Sequence, residues 1–427
     1  MSFINPDNTI FVMLSFEGPD VYSQAGGLGV RCTELSRSLA EVGFETHLFF
    51  IGDPDLPSIE YKIDGRLCLH RWCQWISAMN RAGVYEDENG KRYDFQNSIP
   101  PFLLKSIVSP AAIKNKLIVV LAEEWHTAQT VINLHNLLKT FGLRDRVAIF
   151  WNANNTYGFW NIDWWELRAA CTITTVSRYM KHLMFDYRVN PMIIPNGIPR
   201  RLLEPIDERG IRLLRSIYEN EFFLIKVGRY SPDKRWIMAI DSVADLRMSG
   251  NRVNFLMRGG MEPHRADIYR RAREHALDIR ELKISNPSFD NVAKALYDNR
   301  DADLIELNFF VPEEFLRYLY ASADAALANS GHEPFGLVGL EVMATGGIPF
   351  VGASGEDYAM GFQNSIVVET DDPKEISSYL LYLDGNPQIQ ERIRSRARLT
   401  AEMFTWDRVL EDLLGKIEFI MRVYGRL

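Results

Sequence analysis

Cysteine is scarce in this 427-residue chain. The four present (Cys32, Cys68, Cys73, Cys171) form no CxxC pair and no Cys/His metal spacing, which excludes a disulfide framework and points to buried thiols in a reducing compartment. Positive charge is not in excess either: the net charge is −8, so there is no general attraction to nucleic acid or anionic lipid, and any phosphate binding must be local. No apolar run approaches the ~20 residues of a membrane span. The opening "MSFINPDNTIFVMLSFEG" lacks a charged region followed by a long apolar stretch and a cleavage site. The expectation is a cytoplasmic protein with no nucleic-acid partner, and nothing indicates peripheral membrane association. A GxGxxG dinucleotide fingerprint, an aspartate-rich metal motif, internal repeats and low-complexity tracts are all missing.

What is present is a soluble globular composition, 47% hydrophobic and 24% charged, at a length that calls for two or three domains of ~150 residues. Short, nearly continuous apolar runs alternate with helix-period stretches. "TIFVMLSF", "THLFFIG", "LIVVLAE", "VAIFWNA" and "TITTVS" occupy the first half; "FFLIKVGRY", "VNFLMRGG", "LIELNFFV", "AALANS", "IPFVGA" and "SIVVET" follow. Such runs predict parallel sheets covered by helices on both faces, an α/β doubly wound pattern occurring twice. The rhythm breaks at "MIIPNGIPRRLLEPIDERG", giving expected domains of 1–200 and 201–405. The stretch 406–427 reads as a helix with no strand after it, able to return to the first domain. Residues 60–105 fit the alternation least and are expected to be an insertion.

Ligands of open α/β sheets bind at the carboxyl ends of the strands, and the candidate motifs fall there. After the first strand, "SQAGGLG" places Gly26, Gly27 and Gly29 before a helix, where backbone can approach a ligand and free N–H groups can meet an anion; a tight structural turn is the alternative. In "FFLIKVGRYSPDKRW" a strand runs to Arg229 and a helix is expected from about Ser231, with Pro232 in its first turn. Arg229 and Lys234 would then flank one helix start and suit a diphosphate. In "HEPFGLVGLE", Glu333 lies in the loop and Glu341 about one turn inside the following helix, on the face of Leu337. Each carboxylate can accept from vicinal hydroxyls, and the N–H groups of Phe335, Gly336 and Leu337 suit phosphate oxygens.

These residues, with "EEWHTA" (123–128), "WNANNTYGF" (151–159), "TVSRYM" (175–180) and "PNGI" (195–198), resemble the retaining nucleotide-sugar glycosyltransferases of the GT-B fold, the group 1 family that includes the glycogen, starch and sucrose synthases. The resemblance covers most of the chain. It implies two Rossmann-like domains facing across a cleft, with acceptor bound by the first and nucleotide-sugar by the second. It implies that Arg229 and Lys234 neutralise the donor diphosphate, that Glu341 binds ribose and Glu333 the transferred sugar, and that Gly26, Gly27 and Leu28 lie over the phosphates. Neither a metal nor another cofactor is implied; the nucleotide-sugar (a UDP-, ADP- or GDP-hexose) is the substrate, and a sugar, lipid or small molecule the acceptor. Two departures stand out. Gln24 replaces the lysine usual in glucan synthases, and the family histidine beside the sugar aligns with Glu123, leaving His126 three places later as the alternative. Asn154 and Asn155 stand where a His-Asn pair is common, either holding substrate hydroxyls or capping a turn. The acceptor is expected near "YGFWNIDWW", whose Trp160, Trp164 and Trp165 stack on sugar, form a buried face or approach a lipid surface. Retention would proceed by front-face substitution, with the leaving phosphate taking the acceptor proton. The rival readings are a nucleotide-sugar epimerase, a non-catalytic binding protein of the same fold and, on fold analogy alone, an NAD-dependent oxidoreductase.

Overall fold

In the computed structural model, which describes residues 4–423, the chain divides into two compact units, Met1–Gly197 with Trp406–Leu427, and Ile198–Thr405. The long apolar runs become strands buried on both sides, while the edge strand Ile59–Lys62 is largely exposed and the short strand Met192–Ile193 half-buried. In the first unit these are β1 (Thr9–Leu14), β2 (Glu45–Ile51), β3 (Ile59–Lys62), β4 (Leu67–Trp72), β5 (Leu117–Glu123), β6 (Val147–Ala153), β7 (Thr172–Thr175) and β8 (Met192–Ile193). Their order in the sheet is β3-β4-β2-β1-β5-β6-β7-β8. Only the β3–β4 pair is antiparallel; the others are parallel.

The second unit holds β9 (Phe222–Val227), β10 (Val253–Arg258), β11 (Ile279–Leu282), β12 (Leu304–Leu307), β13 (Ala325–Ala328), β14 (Pro349–Gly352) and β15 (Ile366–Val368). All pairs are parallel, in the order β11-β12-β10-β9-β13-β14-β15. The doubly wound fold expected from the apolar runs is therefore present twice, as two Rossmann-like units.

Residues 60–105 correct one expectation. Rather than an insertion, they supply β4, an internal strand beside β2, followed by the helix Glu88–Leu103. "LCLHRW" hides its strand character because its polar members are buried with partners. Arg71 donates to Asp20 at 2.9 Å through both Nε and Nη2, which satisfies a charge inside an otherwise apolar layer.

The helix Trp406–Val423 belongs to the first unit's core: Trp406, Leu410, Leu413, Ile417 and Met421 pack with Phe11, Leu35 and Phe150. Residues 424–427 of the helix expected from sequence lie outside the described residues. Among the described residues no helix is long and apolar enough to cross a membrane. Each sheet has one place where chain order reverses, between β1 and β5 in the first unit and between β9 and β13 in the second. Loops leaving neighbouring strands in opposite directions open a crevice at such points.

Candidate active site

In the second unit the two loops at the reversal carry the charged motif residues. Lys234 Nζ forms an ion pair with Glu333 Oε2, both side chains about one-fifth exposed. The backbone reinforces the contact, since Gly331 N donates to the Asp233 carbonyl at 2.8 Å. Thus the loops after β9 and β13, about a hundred residues apart in sequence, are held together by a cation and an anion.

The expected helix start at Ser231 is not formed. A single 3₁₀ turn spans Pro232–Lys234, Arg235 then takes φ 50°, and the α-helix begins at Trp236. The left-handed residue breaks the helix, so Lys234 ends a turn instead of flanking a helix N-terminus. Arg229 is exposed, and its side chain forms no ion pair among the described residues. Its carbonyl accepts from Trp236 Nε1 at 2.8 Å. Beside it lies a groove of about 460 Å³ lined by Arg229, Tyr230, Ser231, Glu262, His264 and Asp267, among others, a size that suits a small-molecule site. The residues from the loop after β10 were missed in the sequence, where "MEPH" carries no motif signal.

Gly336 has φ +73°, and a Cβ there would lie 2.8 Å from Glu356 Cγ; both facts require glycine. From this turn the helix Leu337–Ala344 begins, presenting its opening N–H groups without intrahelical acceptors. The Phe335 side chain is buried and packs on Tyr358 and Phe404, so it anchors the loop. Glu341 sits in the second turn; burial, with the Glu313 carboxylate adding, pushes its pKa up to about 7. It has no hydrogen-bond partner among the described residues. Glu356, unremarked in the sequence, is buried and pushed up to about 8 by burial and by Glu333. Glu333 itself is steadied by its N–H, which donates to Ser354 Oγ at 2.9 Å.

The first unit arranges its reversal differently. Glu17, just after β1, places Oε2 against the N–H groups of Ala25, Gly26 and Gly29 at 3.1, 2.9 and 3.0 Å. The anion at the start of the helix Gly27–Glu41 is therefore this chain's own carboxylate, also held by Tyr85 Oη at 2.5 Å. Gly26 and Gly27 remain at the surface of the loop, where a Cβ on either would meet no atom within 4 Å, whereas Leu28 is half-buried and packs against the core.

Glu123 and His126, the two candidates for the sugar-facing position, are both turned inward. Glu123 is an ion-pair partner of Arg31 at 3.1 Å, both side chains 2% exposed, and it accepts from Asn152 and Asn154 at 2.9 and 2.8 Å. His126 Nε2 lies 2.7 Å from Glu88 Oε1, and its ring stacks on Phe16 at 4.3 Å. Burial pushes the imidazole pKa down, with Glu88 opposing. Asn154 is committed as well, its N–H donating to Glu124 Oε1 at 2.8 Å. Glu124 carries the strained backbone of this loop (φ 67°, ψ 166°), and burial pushes its carboxyl up to about 8. Of the nearby tryptophans, Trp160 and Trp165 are exposed, whereas Trp164 packs against Phe159 and Trp151.

D-inositol 3-phosphate glycosyltransferase of Geodermatophilus obscurus is 23% identical over 418 residues, 92% of this chain and 84% of that protein. GDP-mannose-dependent alpha-(1-6)-phosphatidylinositol dimannoside mannosyltransferase of Mycobacterium tuberculosis is 26% identical over 231 residues, 53% of this chain; the match spans about half (52%) of the mannosyltransferase's length. The sucrose-phosphate synthase structure from Thermosynechococcus elongatus shares the fold at a TM-score of 0.67 and 16% identity, covering 98% of this chain and all of that one. Residues 214–400, which hold Arg229, Lys234, Glu333 and Glu341, match the family described as glycosyl transferases group 1, so this stretch of the second unit is similar to that family.

Proposed function

We propose that the protein transfers a hexose from a nucleoside diphosphate sugar to an acceptor hydroxyl with retention of anomeric configuration. The observation that carries the reading is the Lys234–Glu333 contact at the β9/β13 reversal, with Arg229 unpaired beside it. The donor diphosphate lies between Arg229, Lys234 and the opening N–H groups of the helix Leu337–Ala344. As the bond to the sugar breaks, the leaving diphosphate gains charge, and cations already in place stabilise it without reorganisation. These cations take the part that a divalent ion plays in other transferases. Lys234 is shared between Glu333 and the leaving phosphate, so its charge is drawn to the phosphate as the bond breaks.

Glu341 accepts from the ribose diol, Glu333 from hydroxyls of the transferred sugar. The acceptor proton passes to the departing phosphate oxygen on the same face of the sugar. The acceptor class we favour is a polyol or sugar phosphate. Relatives and structural neighbours named for inositol phosphate and sucrose phosphate support it, and GDP-mannose is a first donor to test beside the UDP and ADP sugars.

A thermal-shift panel of UDP, GDP and ADP tests the donor site. A ligand at 100 times its dissociation constant adds ~2.7 kcal/mol. The responding nucleotide is then supplied as its sugar conjugate with inositol and hexose phosphates, and the anomeric configuration of the product is read by NMR. No shift with any nucleoside diphosphate refutes the donor site, and an inverted product refutes retention.

A further inference from the structure

The pairing of β2 with β4 assembles a second cluster unrelated to the glycosyltransferase motifs. His47 sits opposite Cys68 and Phe49 opposite His70 in the parallel register, so His47, Cys68 and His70 share one face of the sheet. His47 Nδ1 and His70 Nε2 point at one another 3.0 Å apart. One ring nitrogen of each histidine and the Cys68 Sγ all lie within 4.8 Å of one another. Two imidazole nitrogens and one thiolate bound tetrahedrally to one ion, at ~2.0–2.1 Å and ~2.3 Å, would stand roughly 3.3–3.6 Å apart. The nitrogen pair, 3.0 Å apart, is already close to that spacing, and binding requires the sulfur to close in from within 4.8 Å.

The surroundings orient the His47 ring as a metal site requires, while the outer nitrogen of His70, Nδ1, is buried without a hydrogen-bond partner among the described residues. The outer nitrogen of His47, Nε2, lies 3.4 Å from Glu45 Oε1, which favours the proton on Nε2 and leaves Nδ1 bare toward the cluster. A carboxylate behind a ligating imidazole orients the ring and raises its basicity. The His70 ring is clamped face to face on Phe49, centroids 4.1 Å apart at an interplanar angle of 1°. Cys68 and His70 are buried, while the His47 side chain keeps 16% of its surface exposed, giving an ion a way in.

We propose that His47, Cys68 and His70 bind a thiophilic divalent transition-metal ion of the Zn²⁺ type, with solvent in the fourth position. Binding forms one metal–sulfur and two metal–nitrogen bonds, displaces water from the ion, and releases the Cys68 thiol proton to solvent. The ion would staple β4, next to the edge strand β3, to β2. The inference does not depend on the sugar-transfer reading.

The test uses the full chain, stripped with chelator and titrated with Zn²⁺ by calorimetry, then with Co²⁺ by absorption. The expected result is about one Zn²⁺ per chain and a thiolate-to-cobalt charge-transfer band, with a rise in Tm on zinc addition. Cys68→Ser should abolish the band. His47→Gln should weaken Zn²⁺ binding by more than about tenfold, and Glu45→Gln, acting through His47, by about tenfold. Because His47 is partly exposed, His47→Gln keeps its chelator-treated Tm near that of the parent and carries the test even if Cys68→Ser misfolds. Substoichiometric binding, or unchanged Zn²⁺ affinity in His47→Gln, overturns the proposal.

Discussion

Glu341 gives the sharpest quantitative test of the donor site. Its carboxyl is held at about 7 by burial and by Glu313, so near neutrality it is half protonated in the free protein. A ribose diol donates two hydrogen bonds, and only the ionised carboxylate can accept both without a competing proton. Nucleotide binding should therefore select the ionised form. For a group with a pKa of about 7 the ionised fraction rises about tenfold between pH 6 and pH 8, so this group's contribution to the association constant rises about tenfold over that range. At pH 7, binding should release about half a proton from this carboxyl.

Calorimetry of nucleoside diphosphate binding in buffers of different ionisation enthalpy reads both quantities. Glu341→Gln supplies the reference, because it leaves the titration of the nucleotide phosphates in place. Its affinity at pH 8 should fall by about one to two orders of magnitude, the loss of a charge-assisted hydrogen bond worth ~1.5–3 kcal/mol. The stability of the free protein carries the opposite sign. A carboxyl whose folded pKa is raised favours folding below its unfolded value of 4.5, and that contribution is lost as pH rises through about 7. Glu341→Gln should thus gain urea stability relative to the parent between pH 5 and pH 8. Identical pH slopes in parent and variant, or tighter parental binding at pH 6, would refute the assignment.

Replacing Lys234 with Met should lower kcat/KM by about 10²–10³, and Arg229→Met should weaken the nucleoside diphosphate while leaving the nucleoside unaffected. Equal losses for diphosphate and nucleoside would contradict a phosphate role. Arg31→Met leaves Glu123 buried without its guanidinium and should cost about 3–5 kcal/mol in urea unfolding; a loss below ~1 kcal/mol would mean that Asn152 and Asn154 suffice. Gly355→Ala would drive a Cβ to 2.1 Å from the Glu333 carbonyl and 2.3 Å from that of Pro334, backbone atoms that cannot turn aside. The loop bearing Glu333 should shift, with transfer falling more than nucleotide affinity; unchanged transfer would show that the loop absorbs the extra carbon.

Both sheets were legible in the sequence because parallel strands covered on both faces are nearly continuous apolar runs, as in "FFLIKV" and "LIVVLAE", each with a single charged residue near its end. Strand β4 was not, since Arg71 and His70 break the apolar string and only their buried partners explain them. The charged motif residues were legible by type and spacing, but not their surroundings. Nothing in "SPDKRW" announces that Arg235 adopts φ 50° and separates Lys234 from the helix. Glu17 sits in plain view in "SFEG", yet its role comes from folding back across eight to twelve residues to three N–H groups. The His47–Cys68–His70 cluster is invisible for a related reason: strand register, not sequence spacing, brings its members together.

The two reversal points therefore differ in what they leave available. In the first unit the polar groups are satisfied from within: Glu17 by backbone N–H groups and Tyr85, Glu123 by Arg31 and two asparagines, and His126 by Glu88. Each such pair would have to be broken before a ligand could use it, and the penalty for stripping a buried charge of its partner is several kcal/mol. In the second unit Arg229 and Glu341 have no such partner among the described residues, and Lys234 has two, Glu333 and Asp233, both partly exposed. Nucleotide affinity should accordingly reside in Ile198–Thr405. On the proposed reading, the first unit should contribute the open surface above Gly26 and Gly27, where a Cβ would meet no atom within 4 Å and Glu17 holds the loop through three N–H groups.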